Sequence, residues 1–247
     1  MNRFFKYIFG LAGATIFVLM PIAGNALEPL AYYITYQGTV GLIDLATGSW
    51  MQCGSITGDS GTPGGLVSVG NHYYTVTEQY RDAGATLYKV ASNGKLTMEG
   101  ADQSLPPIVS IGGFRDNIFA GFDGGGEFYA IHEDGTADDL GPTGIGAIDA
   151  VSVGATSLYF QHYPYFYRID TKGGKVHKIS SNQDYQLGAI VEVNNELYGT
   201  FGATGAAGIV TINPLTGRES LVVSNSTIQG GIVGLAPSSD LDTCTPL

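Results

Sequence analysis

Five times along this chain an apolar run closes on a polar turn and a glycine, and this repeat restricts the fold more than any other feature. The copies read Val40-Gly41-Leu42-Ile43-Asp44-Leu45-Ala46-Thr47-Gly48, Leu87-Tyr88-Lys89-Val90-Ala91-Ser92-Asn93-Gly94-Lys95, Phe128-Tyr129-Ala130-Ile131-His132-Glu133-Asp134-Gly135, Tyr165-Phe166-Tyr167-Arg168-Ile169-Asp170-Thr171-Lys172-Gly173-Gly174-Lys175-Val176 and Ile209-Val210-Thr211-Ile212-Asn213-Pro214-Leu215-Thr216-Gly217. The apolar residue before each turn, at positions 43, 90, 131, 169 and 212, sets intervals of 47, 41, 38 and 43 residues. Such a chain stacks units of one kind, because each unit alone leaves an apolar face uncovered.

Each copy is a strand with two-residue alternation, and a second strand precedes it: Tyr32-Tyr33-Ile34, Tyr73-Tyr74-Thr75-Val76, Ile118-Phe119-Ala120, Leu158-Tyr159-Phe160 and Leu197-Tyr198-Gly199. In copies two to five a third strand comes earlier still: Leu66-Val67-Ser68-Val69, Ile108-Val109-Ser110-Ile111, Ala150-Val151-Ser152-Val153 and Ile190-Val191-Glu192-Val193. Room remains after each turn for an outer strand, as at Ser49-Trp50-Met51-Gln52-Cys53 or Lys175-Val176-His177-Lys178-Ile179. Four-stranded units at this period are propeller blades. Copy one lacks its innermost strand, and Ile232-Val233-Gly234-Leu235-Ala236 at the far end of the chain supplies a match. The expectation is an all-β, five-bladed β-propeller of four-stranded antiparallel blades, its ring closed by the C-terminal strand completing the N-terminal blade. A composition with 37 glycines, 11% aromatic and only 13% charged residues suits short strands and tight turns.

The Leu-Tyr-x-Ile-Asp-x-x-Thr-Gly character of these copies resembles the secreted bacterial β-propeller repeat proteins, whose kin include quinoprotein-type, NHL-type and surface-layer propellers. The resemblance covers nearly all of residues 30–237, and its residues are structural, shared by many functions. No quinoprotein cofactor motif, glutaminyl-cyclase motif or diagnostic glycosidase carboxylate motif is visible, and no cofactor is expected.

Residues 1–26 read as a signal peptide: Arg3 and Lys6 precede an apolar run from Ile8 to Ala23, and Gly24-Asn25-Ala26 offers small residues for cleavage. Residues 27–247 would then form one exported domain, periplasmic or extracellular, with no membrane span after cleavage and a monomeric state. Without Arg3 and Lys6, nine basic residues face 22 acidic ones. That balance disfavours nucleic acid as a partner. Export favours a disulfide between the two cysteines, Cys53 and Cys244. In the ring the tail could carry Cys244 across the composite blade to Cys53, clasping the non-covalent seam and contributing up to about 5 kcal/mol.

Antiparallel topology puts the second-to-third loops and the blade-to-blade connections on one face, where binding residues commonly lie. Blade two offers Glu78, Tyr80, Arg81 and Asp82 there; blade three Asp123 and Glu127; blade four His162, Tyr163 and Tyr165. Rings that stack on apolar faces beside charged groups suit a polar small molecule, a glycan or a protein partner. Aligning the innermost strands places Glu192 with Ser68, Ser110, Ser152 and Gly234, which expects a carboxylate near the axis that either lines a channel or is paired between blades, with Asp149 at the start of a neighbouring inner strand. The functional expectation is an exported, non-catalytic binding or scaffold protein. The alternative is a carbohydrate-active hydrolase or lyase with acids near the axis. Asp134-Gly135-Thr136-Ala137-Asp138-Asp139 lacks the ligand spacing of a calcium loop and reads as a turn. His72, His132, His162 and His177 have no metal spacing.

Overall fold

A computed structural model describes residues 28–247 except 59–60, 79–83, 103, 116–117, 147, 149, 154–156, 171–174, 203–206, 227, 229–230, 239–243 and 245–247. The expected signal peptide, Tyr80, Arg81, Asp82 and Asp149 lie outside the described residues.

The strands fall into five sheets in chain order. Blade one holds β1 (Leu30–Thr35), β2 (Thr39–Asp44) and β3 (Trp50–Ser55). Blade two holds β4 (Thr62–Pro63), β5 (Val67–Val69), β6 (His72–Glu78), β7 (Ala85–Val90) and β8 (Leu96–Glu99). Blade three is β9 (Ile108–Arg115), β10 (Ile118–Asp123), β11 (Glu127–His132) and β12 (Ala137–Pro142). Blade four is β13 (Ala150–Val153), β14 (Ser157–His162), β15 (Tyr165–Asp170) and β16 (Val176–Ser180). Blade five is β17 (Leu187–Val193), β18 (Glu196–Phe201), β19 (Ala207–Ile212) and β20 (Glu219–Ser226). The final strand, β21 (Ile232–Pro237), pairs antiparallel with β1 and completes blade one. Innermost strands touch in the order β21, β5, β9, β13, β17 and back to β21, so the expected five-bladed ring is closed as expected.

The core is five slabs, one between each pair of neighbouring blades. Alternate residues of a strand point to opposite faces, so Tyr32 packs toward blade two with Tyr73 and Tyr88, while Tyr33 packs toward blade five with Tyr198 and Ile209. Blades two and three share Leu87, Ile111 and Ile131, blades three and four share Phe122, Phe160 and Ile169, and blades four and five share Tyr159, Leu197 and Ile212. No helix is needed because each blade covers its neighbour.

The repeat's polar residue and glycine have separate structural duties. Asp44, Asn93, Asp134 and Asn213 each accept, on a side-chain oxygen, the backbone N–H two residues on, at 2.8 Å for Asp44 and 3.0 Å for the others. This side-chain mimicry of a turn is why Asp and Asn recur there. The Asp134 carboxyl, held by the Thr136 hydroxyl and N–H, sits below the ordinary carboxylate range, as expected of a turn. Gly48, Gly94, Gly135 and Gly217 follow with φ of 73°, 85°, 77° and 68°. Each also abuts the outer strand of the preceding blade: a Cβ on Gly217 would lie 2.6 Å from Ser180, one on Gly135 2.6 Å from the Glu99 carbonyl. The glycine therefore serves both the left-handed turn and blade docking.

The inner strands differ from the sequence reading in two respects. Blade two's edge is split: Thr62 and Pro63 pair with Glu78 and Thr77, Val67 pairs with Tyr74, and the extra residue between them bulges at Gly64–Leu66. The buried Thr75 hydroxyl donates to the Gly65 carbonyl at 2.6 Å, and Ile111 N–H of blade three donates to the Gly64 carbonyl at 2.9 Å. The bulge thus stitches blade two to blade three.

The second difference is one of register. Through the second strands, the markers Ile43, Val90, Ile131, Ile169 and Ile212 lead to Pro237, Ser68, Gly113, Val153 and Glu192 on the inner strands. Glu192 and Ser68 are equivalent, but Ser152, Ser110 and Gly234 are not. Bulges shift the inner strands of blades one and three, and in blade four the Val-Ser-Val run begins one residue farther from its hairpin than in blade two.

Cys53 in β3 and Cys244 in the tail form a disulfide with Cα atoms 5.3 Å apart. Both pack into the slab between blades one and two, so the tail after β21 is tied to the outer strand of the composite blade. A buried pairing of this kind suits an oxidising compartment.

Candidate functional site

A cavity of about 450 Å³ opens between blades five and one. It is built where four chain segments meet: the β1–β2 turn with Tyr36, the β16–β17 connection at Asp184 to Gln186, the end of β18 at Phe201, and the entry to β21 at Gly231 and Ile232. All are second-to-third loops or blade-to-blade connections, so the cavity lies on the face where loops were expected to carry binding. Its volume falls within the usual range for small-molecule sites.

Its aromatic wall is made by Tyr185 and Phe201, stacked with centroids 4.1 Å apart and planes 26° apart. Tyr36 joins from blade one and is 61% exposed. Tyr36 N–H donates to the Gly231 carbonyl at 3.0 Å, tying the β1–β2 turn to the segment entering β21.

The connection carrying Asp184 and Tyr185 is held by side chains of both flanking blades. Gln161 of β14 is fully buried; its amide nitrogen donates to the Tyr185 carbonyl at 2.9 Å and its oxygen accepts from Leu187 N–H at 2.7 Å. From blade five, Glu219 accepts from Asp184 N–H at 2.7 Å and from Tyr185 N–H at 3.2 Å. Buried Gln183 donates to the Gly217 carbonyl at 2.6 Å, and its own N–H donates to the Pro164 carbonyl at 3.0 Å. Such clamps fix a wall before a ligand arrives, which lowers the ordering cost of binding. Burial pushes the Glu219 carboxyl up, the two backbone N–H groups pull it down, and the Asp184 charge raises it again.

The residues marked by sequence fall on two sides of the ring. Glu78 ends β6, Asp123 and Glu127 flank the β10–β11 turn, and His162, Tyr163 and Tyr165 surround the β14–β15 turn, all on the same face as the cavity but on blades two to four. Asp123 is engaged by its own turn, accepting from the N–H groups of Gly125 and Glu127 at 2.8 Å each. Tyr165 stacks with His162 at 6.4 Å and carries the Lys178 ammonium 3.7 Å from its ring centre. Glu192 is at the opposite end of β17 from Leu187, beside the β17–β18 hairpin, so it does not join the rim acids. Its charge is felt instead by Tyr159 of blade four, whose pKa is raised mainly by burial, lowered by Arg168 and raised by Glu192.

Tyr36, Tyr185, Phe201 and Gln161 were not singled out from sequence. Tyr185 and Phe201 are brought together by the β17–β18 pairing, in which Leu187 faces Phe201, and Tyr36 joins them only through the closed ring. A readable hint did exist: Tyr36 lies in the β1–β2 turn, where turn chemistry calls for small polar residues. A second cleft of about 570 Å³, lined by Asn195, Glu196, Thr211 and Arg218 near the β17–β18 turn, has no aromatic residue among its described lining. The left-handed pair Asn194 and Asn195, with φ of 55° and 64°, makes that hairpin tight. Among the described residues no cluster of His, Cys, Asp and Glu could hold a metal ion.

No protein family's sequence model matches this chain, and no curated protein sequence does. Similarity to solved structures is clear nonetheless. A chain of a nidogen–laminin complex aligns with TM-score 0.56 and 10% identity over 84% of this chain and 97% of that one. A catalytically inactive virginiamycin B lyase from Staphylococcus aureus, crystallised with quinupristin, aligns with TM-score 0.50 and 16% identity over 82% of this chain and 73% of that one. At such identities the shared feature is the propeller fold.

Proposed function

We propose that this protein is an exported binding propeller whose ligand seat is the cleft between blades five and one. The observation that carries this reading is the preformed aromatic wall of Tyr185 and Phe201, clamped by Gln161 and Glu219 and faced by an exposed Tyr36. Rigid aromatic rings give large contact area at low entropic cost, and the polar lip at Asp184 and Gln186 gives orientation. Export is supported by the disulfide and by the leader-like residues 1–26. Partner recognition is compatible with the fold's appearance in a nidogen–laminin complex.

A glycan and peptide array probed with residues 27–247 tests the reading. Binding is expected, with loss of at least tenfold in Tyr36→Ala and Phe201→Ala variants that melt like the parent, and no loss in His162→Ala. Binding that survives both cleft variants, or an array without binding, overturns it.

A further inference from the structure

We infer that the cleft between blades five and one takes an organic ammonium group, a protonated or quaternary amine carried on an apolar body. The inference rests on the binding role proposed above and adds the chemistry of the ligand. Three aromatic rings border the cavity, and the stacked Tyr185–Phe201 pair presents a continuous wall. Aromatic faces carry negative electrostatic potential and attract cations placed over them.

Among the described residues that line the cleft, Asp184 is the one formally charged side chain, and it is acidic. Asp184 stands exposed at the lip; Glu219, outside the lining, accepts from the Asp184 N–H, and the Asp184 charge helps raise its carboxyl. One Glu219 oxygen is taken by the Asp184 and Tyr185 N–H groups; the other is buried without a hydrogen-bond partner. The described residues that line the cleft, Tyr36, Asp184 to Gly188, Phe201, Gly202 and Gly231 to Val233, include no Lys, Arg or His. The whole chain carries a net charge of −11, which draws cations toward such a cleft.

An anion entering here would meet the Asp184 carboxylate with no counter-charge in the described lining. An uncharged ligand would use the rings but gain nothing from the Asp184 carboxylate. A cation uses both, because the rings attract it at short range and Asp184 at longer range. A cavity of about 450 Å³ also exceeds one ammonium head, so an apolar body of the same ligand would lie along Ile232 and Leu187.

Titration calorimetry with choline and with its uncharged isostere 3,3-dimethyl-1-butanol tests the inference on residues 27–247. Choline should bind about tenfold or more tightly than the isostere, the order expected of a partly desolvated cation–π contact. Asp184→Asn should reduce that preference, and Tyr36→Ala should weaken choline while the melting temperature holds. Equal binding of both compounds, lost together in Tyr36→Ala, would overturn the cationic preference but leave the binding seat intact. No binding of either compound, in a protein whose array ligand does bind at the cleft, would also overturn it.

Discussion

At the scale of single residues, the marker glycines and their Asx partners explain why the repeat is visible at all. Gly217 needs a left-handed φ and leaves no room for a methyl group against Ser180, so Gly217→Ala should cost roughly 1–3 kcal/mol in urea unfolding. The opposite sign is expected at Tyr33. Its hydroxyl is fully buried with no hydrogen-bond partner, and burial pushes its pKa up to about 12. Tyr33→Phe removes an unsatisfied donor while keeping the ring, and should stabilise the fold by about 1 kcal/mol. An equal loss on the same unfolding curve would show that the hydroxyl has a partner. Glu219 gives a pH signature. Its folded pKa is raised, so the native state binds a proton that the unfolded state releases, and stability falls as pH rises from the ordinary Glu range through the raised value. Glu219→Gln should flatten that fall in melts taken from acid to neutral pH.

At the scale of elements, the connection between β16 and β17 is the piece that matters most for function. Gln161→Ala would leave the Tyr185 carbonyl and Leu187 N–H unpaired in a buried position. The cost should be about 2–4 kcal/mol, with ligand binding weakened as the wall loosens; unchanged melting and binding would mean that water replaces the amide. Elements also show what the sequence could reveal. Strand identity, blade order and the closing strand were legible because alternation and turn chemistry act over a few residues. The register of the inner strands was not, because Val67-Ser68-Val69 and Val151-Ser152-Val153 look alike, yet the marker's partner pairs with Ser68 in blade two and with Val153 in blade four. Glu192 was legible as unusual, but its neighbour Tyr159 belongs to another blade. The cleft was hidden for the same reason: Tyr36 and Tyr185 meet only after the chain has travelled the whole ring.

At the scale of the molecule, the ring is a closed circuit with one non-covalent joint, between β1 and β21. The disulfide ties the tail beyond that joint to β3, closing a loop across 191 residues. Removing it by Cys53→Ser with Cys244→Ser should lower the melting temperature by roughly 5–15 °C, and a melt identical to the parent would show that the clasp adds nothing. Because β21 also contributes Ile232 and Val233 to the cleft, the same variant should bind ligand less tightly. The joint of the ring and the proposed seat are thus one structural unit. The most direct measurement of that idea is a crystal structure of residues 27–247 with a ligand captured from the array. The ligand should lie against the Tyr185–Phe201 wall with Tyr36 folded over it; density instead beside Glu78, Asp123 and His162, or at the Arg218 cleft, would contradict it.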